Sequence, residues 1–186
     1  VSIAETAVGL TAAQLENARI IEREFAAAGV PGKIIAAAIV NAWAESRLNA
    51  NAMGDNGHSV GLFQLYDRGA GAGMTVAERQ NPTNNTKRIL QEYMRYGAPI
   101  MAAEQQGATI YTLTGLFAKY IERPANAEAR MVERGGMSLR LFPDQTLKVF
   151  EKSVHSSPKV WLVASGLVTF TLIMTALRSR KESDGA

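Results

Sequence analysis

KIIAAAIVNAWAESRLNANAMGDNGHSVGLFQL runs from Lys33 to Leu65 and changes character at Glu45. Up to Ser46 it is apolar almost all round, which predicts a buried helix over residues 33–46. Beyond Asn49 it fills with Asn, Gly, Asp and Ser, the residues of loops, and Asp55-Asn56-Gly57 predicts a short β-hairpin. A carboxylate therefore closes a buried helix and faces an irregular loop. Beside a helix's C-terminal dipole an exposed acid is unfavourable by about 0.3–1 kcal/mol. A solvated last-turn charge would tolerate that cost, whereas a working acid would explain it. Ala38, Asn41 and Glu45 lie on one helix face. In that arrangement Ala38 leaves room for a bulky ligand and Asn41 offers an amide. A carboxyl sheltered at the end of an apolar helix resists ionisation because it has lost hydration. General-acid cleavage of a glycosidic bond needs such a proton donor near neutral pH.

Towards the N-terminus, residues 11–28 predict an amphipathic helix. Thr11 and Gln14 form a capping-box pattern, Leu15, Ala18, Ile21 and Phe25 recur at helical spacing, and Gly29 suits the C′ position. Val30-Pro31-Gly32 breaks the chain. On the other side, Gly69 to Gly73 reads as a flexible connector. Asn81-Pro82-Thr83 opens a helix to about Tyr96. Further helices are expected over 99–106, 109–121 and 125–134, the last stopped by Gly135-Gly136, with a short amphipathic helix over 143–154. There is no internal repeat.

The C-terminal region is of another kind. VWLVASGLVTFTLIMTAL, residues 160–177, carries no charge and is bounded by Lys159 and by Arg178, Arg180 and Lys181. At ~1.5 Å per residue it spans roughly 27 Å, close to the hydrocarbon thickness of a bilayer. Ser156-Ser157-Pro158 makes a helix start and Trp161 an interfacial anchor. A transmembrane helix is expected there, with the lipid bilayer as its partner.

The chain has 186 residues, no cysteine, two histidines far apart, and a net charge of +3. The absence of cysteine excludes disulfides and thiol chemistry. The two histidines argue against a Ser-His-Asp triad and against a His-built metal site, so no metal and no cofactor is expected. A mild positive charge without Lys/Arg clusters among aromatics does not predict nucleic-acid binding. It suits a polyanionic wall or anionic headgroups.

Glu45-Ser46, Asn49-Ala50-Asn51-Ala52 and Gly61-Leu62-Phe63-Gln64 follow one another with a spacing that resembles the lysozyme-like superfamily of peptidoglycan-cleaving enzymes. Soluble lytic transglycosylases and goose-type lysozymes share this order, and the likeness to phage tail lysozymes is strongest. Asn81-Pro82-Thr83-Asn84-Asn85 with Tyr93 resembles a third motif of the superfamily. Tyr120-Ile121-Glu122-Arg123-Pro124-Ala125-Asn126 is similar to a segment late in the phage tail lysozyme domain. The resemblance covers about residues 34–134. It implies a mainly α fold, a lysozyme-like α+β domain with a minimal β-hairpin, to which the transmembrane helix is added. The expected organisation is an N-terminal helix over 1–30, a catalytic domain over 31–136, an amphipathic linker helix over 137–158, the span over 159–178, and a basic, polar tail over 179–186.

By that likeness Glu45 is the general acid and later the base. Ser46, Gly61, Leu62, Phe63, Gln64, Asn85, Tyr93 and Tyr120 form the substrate-binding set. Leu62 and Phe63 equally suit a core, Gly61 a backbone requirement, and Glu122-Arg123 a structural ion pair. An inverting hydrolase needs a second carboxylate roughly 6.5–9.5 Å away to activate water. Asp55, Asp67 and Glu122 are the candidates, although Asp55 also suits the turn before Asn56-Gly57. Without a second acid, the muramic sugar's own hydroxyl attacks and leaves a 1,6-anhydro end, the lytic transglycosylase route. The alternatives are an inverting muramidase using Asp55 or Asp67, and a glycan-binding structural protein without activity.

Val1 to Glu5 lacks the basic segment and apolar run of a secretory signal. A wall-cleaving domain so placed is expected to reach its substrate within a virion. It would sit in the viral membrane or ejection apparatus beside other virion proteins and open the periplasmic wall for genome entry.

Overall fold

The computed structural model describes residues 2–124 and 126–143. The expected amphipathic helix beyond Pro143, the span over 160–177 and the polar tail lie outside these residues. Among the described residues, no helix is long and apolar enough to cross a membrane.

The fold is built around the helix that the opening stretch predicts. Helix α1 (Ile3–Thr6) and helix α2 (Ala12–Ala27) precede it. The capping box at Thr11 and Gln14 forms as expected, with each side chain answering the other's backbone N–H. Helix α3 (Gly32–Ser46) follows. Ile34, Ile39, Val40 and the alanines between them are fully or almost fully buried. Each large side chain so buried contributes about 1.5–3 kcal/mol. Ala18, Ile21 and Phe25 of α2 belong to the same core, so residues 1–30 and 31–136 share one interior.

After α3 come three two-residue strands, β1 (Met53–Gly54), β2 (Ser59–Val60) and β3 (Leu65–Tyr66), joined in an antiparallel sheet. Asp55–Gly57 forms a 3₁₀ turn between β1 and β2, where the hairpin was expected. Val60 pairs with both Met53 and Leu65. The sequence reading lacked the third strand, which is too short to show a period.

Helix α4 (Val76–Gln80), α5 (Pro82–Tyr96), α6 (Ala98–Gln105) and α7 (Ile110–Phe117) complete the surround. The helix expected over 109–121 changes pitch before its end. Ala118–Glu122 is a π-helical turn, closed by the bond from the Arg123 N–H to the Ala118 carbonyl. Such a turn rotates the chain off the α-helical face. Ile121 is buried in the core and, with Glu122, lines a cleft.

Helix α8 (Ala127–Leu141) overturns one expectation. Gly135-Gly136 does not stop it: the helix continues through both glycines and takes in residues 137–141, which had been assigned to a linker helix. The reason is the approach of α7. A Cβ at Gly135 would stand 2.8 Å from the Tyr111 ring, and one at Gly115 of α7 would stand 2.9 Å from the Met131 carbonyl. Glycine on each helix serves close packing, and its conformational cost of about 1 kcal/mol is accepted in mid-helix. That close packing carries Arg134 to the end of α3.

Candidate active site

Glu45 occupies the last turn of α3, and the chain then reverses sharply. Arg47 and Leu48 both hold left-handed backbone, with φ of 57° and 56°. Ser46 fixes the reversal. Its hydroxyl donates to the Leu62 carbonyl at 2.8 Å and accepts from the Asn49 N–H. Ser46 is buried and works as a tether between helix and loop.

The loop 59–66 is held from behind by two buried polar side chains. Asn85, fully buried on α5, accepts from the Phe63 N–H and donates to the carbonyls of Val60 and Arg79. Arg79 of α4 donates to the carbonyls of His58 and Leu65. Gly61 fits against this clamp. Its φ is +86°, and a Cβ would stand 2.2 Å from both the Arg79 carbonyl and the Asn85 amide nitrogen. Gly61 is thus required by backbone and space, and Asn85 by the loop's hydrogen bonds. Replacing Asn85 by alanine strands the buried Phe63 N–H and two carbonyls. A loss of about 1–3 kcal/mol is expected, read as a lowered urea midpoint with unchanged slope.

A cleft of about 400 Å³ opens beside this loop, with Glu45, Phe63, Gln64, Tyr66 and Glu122 on its walls. Of the expected substrate-binding residues, it brings Phe63 and Gln64 to the site. Gln64 has left-handed backbone, φ 44°, and its amide donates to the carbonyls of Ala52 and Gly61. A non-glycine residue held in that region stores strain, and such strain concentrates at functional sites. Leu62 is fully buried in the core. Tyr93 is core as well, its ring 6.4 Å from Phe117 and nearly parallel to it, and burial raises its phenol pKa. Tyr120 is half-buried against the core and does not line the cleft. Ala38 and Asn41 are fully buried below Glu45. The Asn41 amide donates to the Ala37 and Thr114 carbonyls, tying α3 to α7. The open face expected of residues 38–45 is therefore Glu45 alone.

Two of the three second-acid candidates lie apart from the cleft lining. Asp55 accepts from the Ser59 hydroxyl inside the sheet turn. Asp67 pairs with His58 Nδ1 at 2.7 Å, and that bond holds its carboxyl below the usual range. Glu122 is different. Its side chain is 10% exposed, and both Glu45 and Arg134, the latter 6% exposed, stand against it. Arg134 Nη2 donates to Glu45 Oε1 in a very short bond and stands 3.7 Å from Glu122 Oε2. Burial first, and the charge of Glu45 second, push Glu122 up to about 8 against the opposing pull of Arg134. Glu122 is thus a protonated carboxyl held against Glu45 and Arg134.

Arg134 and the neighbouring Arg130 and Arg123 were absent from the sequence-based site. Arg130 and Arg134 stand four apart on α8, one helical face, and that spacing was legible once 127–141 is read as helix. Among the described residues, no group of three His, Cys, Asp or Glu side chains is placed to hold a metal ion.

The sequence model of the family described as phage tail lysozyme matches residues 16–142. No curated protein and no solved structure matches the chain.

Proposed function

The chain belongs to the phage tail lysozyme family, and from that premise we propose that it cleaves the glycan strand of bacterial peptidoglycan with Glu45 as proton donor. The observation that carries this is the carboxyl at the end of a buried helix, on the wall of a cleft, bonded to Arg134 and set beside the raised carboxyl of Glu122.

The bond cut is the β-1,4 link from N-acetylmuramic acid to N-acetylglucosamine. Glu45 gives its proton to the bridging oxygen as the bond to the anomeric carbon breaks, and the glucosamine leaves with a hydroxyl. The muramic C6 hydroxyl attacks the same carbon, and Glu45, now a carboxylate, takes the proton of that hydroxyl. The product is a 1,6-anhydro ring, and no water is consumed. The surroundings of Glu122 favour this route over an inverting muramidase. A base that activates water must be ionised and leave room for the water, at roughly 6.5–9.5 Å from the acid. Glu122 is protonated at neutral pH and in direct hydrogen-bond contact with Glu45, which leaves no place for a water between them. A buried neutral carboxyl is neither a base nor a nucleophile. Asp55 and Asp67 are engaged elsewhere.

Mass spectrometry of digested sacculi tests the reading. Anhydro ends, one water lighter than reducing ends, are expected. Reducing ends would assign a muramidase, and intact strands a binding protein.

Delivery to the wall is part of the same proposal. The family's description as a tail lysozyme and the uncharged run at 160–177 together support an enzyme carried in a virion, anchored by one span and acting on the periplasmic wall at genome entry. Purified virions that lack the protein would overturn this part and leave the chemistry standing.

A further inference from the structure

Among the described residues, three guanidiniums line the cleft, and Glu45 and Glu122 of the same lining both face Arg134. Arg134 is occupied by Glu45 and Glu122. Arg123 and Arg130 also line it, with side chains 50% and 45% exposed. Arg123 pairs with Glu92 at 3.0 Å, but Glu92 also faces Arg88 at 3.7 Å, so two cations meet one carboxylate. Arg130 is bonded to Glu133, itself 44% exposed and absent from the cleft lining. On the cleft lining itself the guanidiniums of the described residues therefore outnumber the carboxyls, three to two.

Arg123 is also held at some cost. It caps the π-helical turn with φ 53° and ψ 52°, a conformation that glycine adopts more readily. Its guanidinium lies 4.5 Å from the centroid of the Tyr96 ring, which fixes its direction. A strained backbone and a stacked, half-exposed guanidinium at a cleft are features of a residue kept for its side chain.

We infer that Arg123 and Arg130 form an anion subsite that binds a carboxylate carried on the strand's muramic sugars, so that the cleft selects acidic glycan over neutral glycan. This rests on the peptidoglycan reading of the cleft. The carboxylate has two sources, the lactyl ether of an unsubstituted muramic residue and the peptide stem attached to it. Guanidinium binds either by charge-assisted hydrogen bonds.

Equilibrium binding tests this on the full chain in neutral detergent, carrying Glu45→Gln to prevent turnover. Three probes of equal length are compared: neutral chitin oligosaccharide, glycan fragments stripped of stems, and fragments bearing them. The acidic probes are expected to bind about 3- to 10-fold more tightly than the neutral one. The margin should shrink in high salt, and in Arg130→Gln and Arg123→Gly. Arg130 is exposed, and glycine at 123 relieves the positive φ, so both variants are expected to fold. Preference already present for stripped fragments assigns the lactyl carboxylate; preference confined to stem-bearing fragments assigns the peptide. Equal affinity for all three probes, or a margin unchanged in both variants, overturns the subsite. The activity is scored separately by the products of the unmodified chain. Preference without cleavage removes the enzyme and keeps the subsite, whereas cleavage without preference does the reverse.

Discussion

Glutamine at position 45 lowers turnover of isolated sacculi by about 10²–10⁴-fold, the contribution of one well-placed general acid. The amide is the same size as the carboxyl and its oxygen still accepts from Arg134, so the helix end and the cleft wall keep their shape. What is lost is the proton for the leaving oxygen and the carboxylate that recovers it. Glu45→Asp separates position from chemistry. It keeps an acid but withdraws it from the cleft by one methylene, and a displacement of about 1 Å costs up to about 10²-fold when a reacting group must meet its target. Release of soluble muropeptides measures both variants. Activity is compared below the melting temperature of each variant, because Glu45→Gln also removes the charge that pairs with the buried Arg134. Retention of more than a tenth of the parent's activity by Glu45→Gln would show that the proton comes from elsewhere.

Much of this arrangement is legible in the sequence, and the rest is hidden for physical reasons. The buried helix α3 shows in a run of alanine and isoleucine because burial on all sides admits little else. The ends of α2 and α5 show in Thr11-Gln14 and in Asn81-Pro82, where orphan backbone groups demand particular residues. Helix α4 was passed over although Thr75 and Glu78 form a complete capping box. A five-residue helix has too little apolar period to draw attention to its cap. Gly135-Gly136 misled because glycine signals a stop and close packing equally, and only the partner helix decides between them. Ser46, Gly61 and Asn85 were assigned to the substrate because a motif records that a residue is needed, not what for. In the fold each serves the loop that carries Phe63 and Gln64 to the cleft. The pairing of Glu45 with Arg134 joins residues 89 apart and depends on the close contact of α7 with α8, so no local pattern announces it.

That pairing leads to the second large effect, in Glu122→Gln. The groups facing Glu122 are Glu45 from α3 and Arg134 and Arg130 from α8, with Arg123 adjacent in its own chain. Burial and the Glu45 charge raise its carboxyl from an ordinary value of 4.5 to about 8. A group raised on folding stabilises fully below its unfolded value, and the stabilisation is lost as pH rises through the folded value. The parent's melting temperature should therefore decline between pH 4.5 and about 8, and Glu122→Gln, which cannot ionise, should show a flatter profile over that window. Catalysis should respond in the same sense. While Glu122 keeps its proton it can resupply Glu45, so the alkaline limb of the parent's pH–rate profile is expected where Glu122 loses that proton, at about 8. With glutamine at 122 no proton is held beside Glu45. The alkaline limb should then move towards acid. A residue that merely filled space would change stability or overall rate without moving that limb. If parent and Glu122→Gln lose activity at the same pH, Glu122 supplies no proton to Glu45 and its burial beside Arg134 serves packing alone.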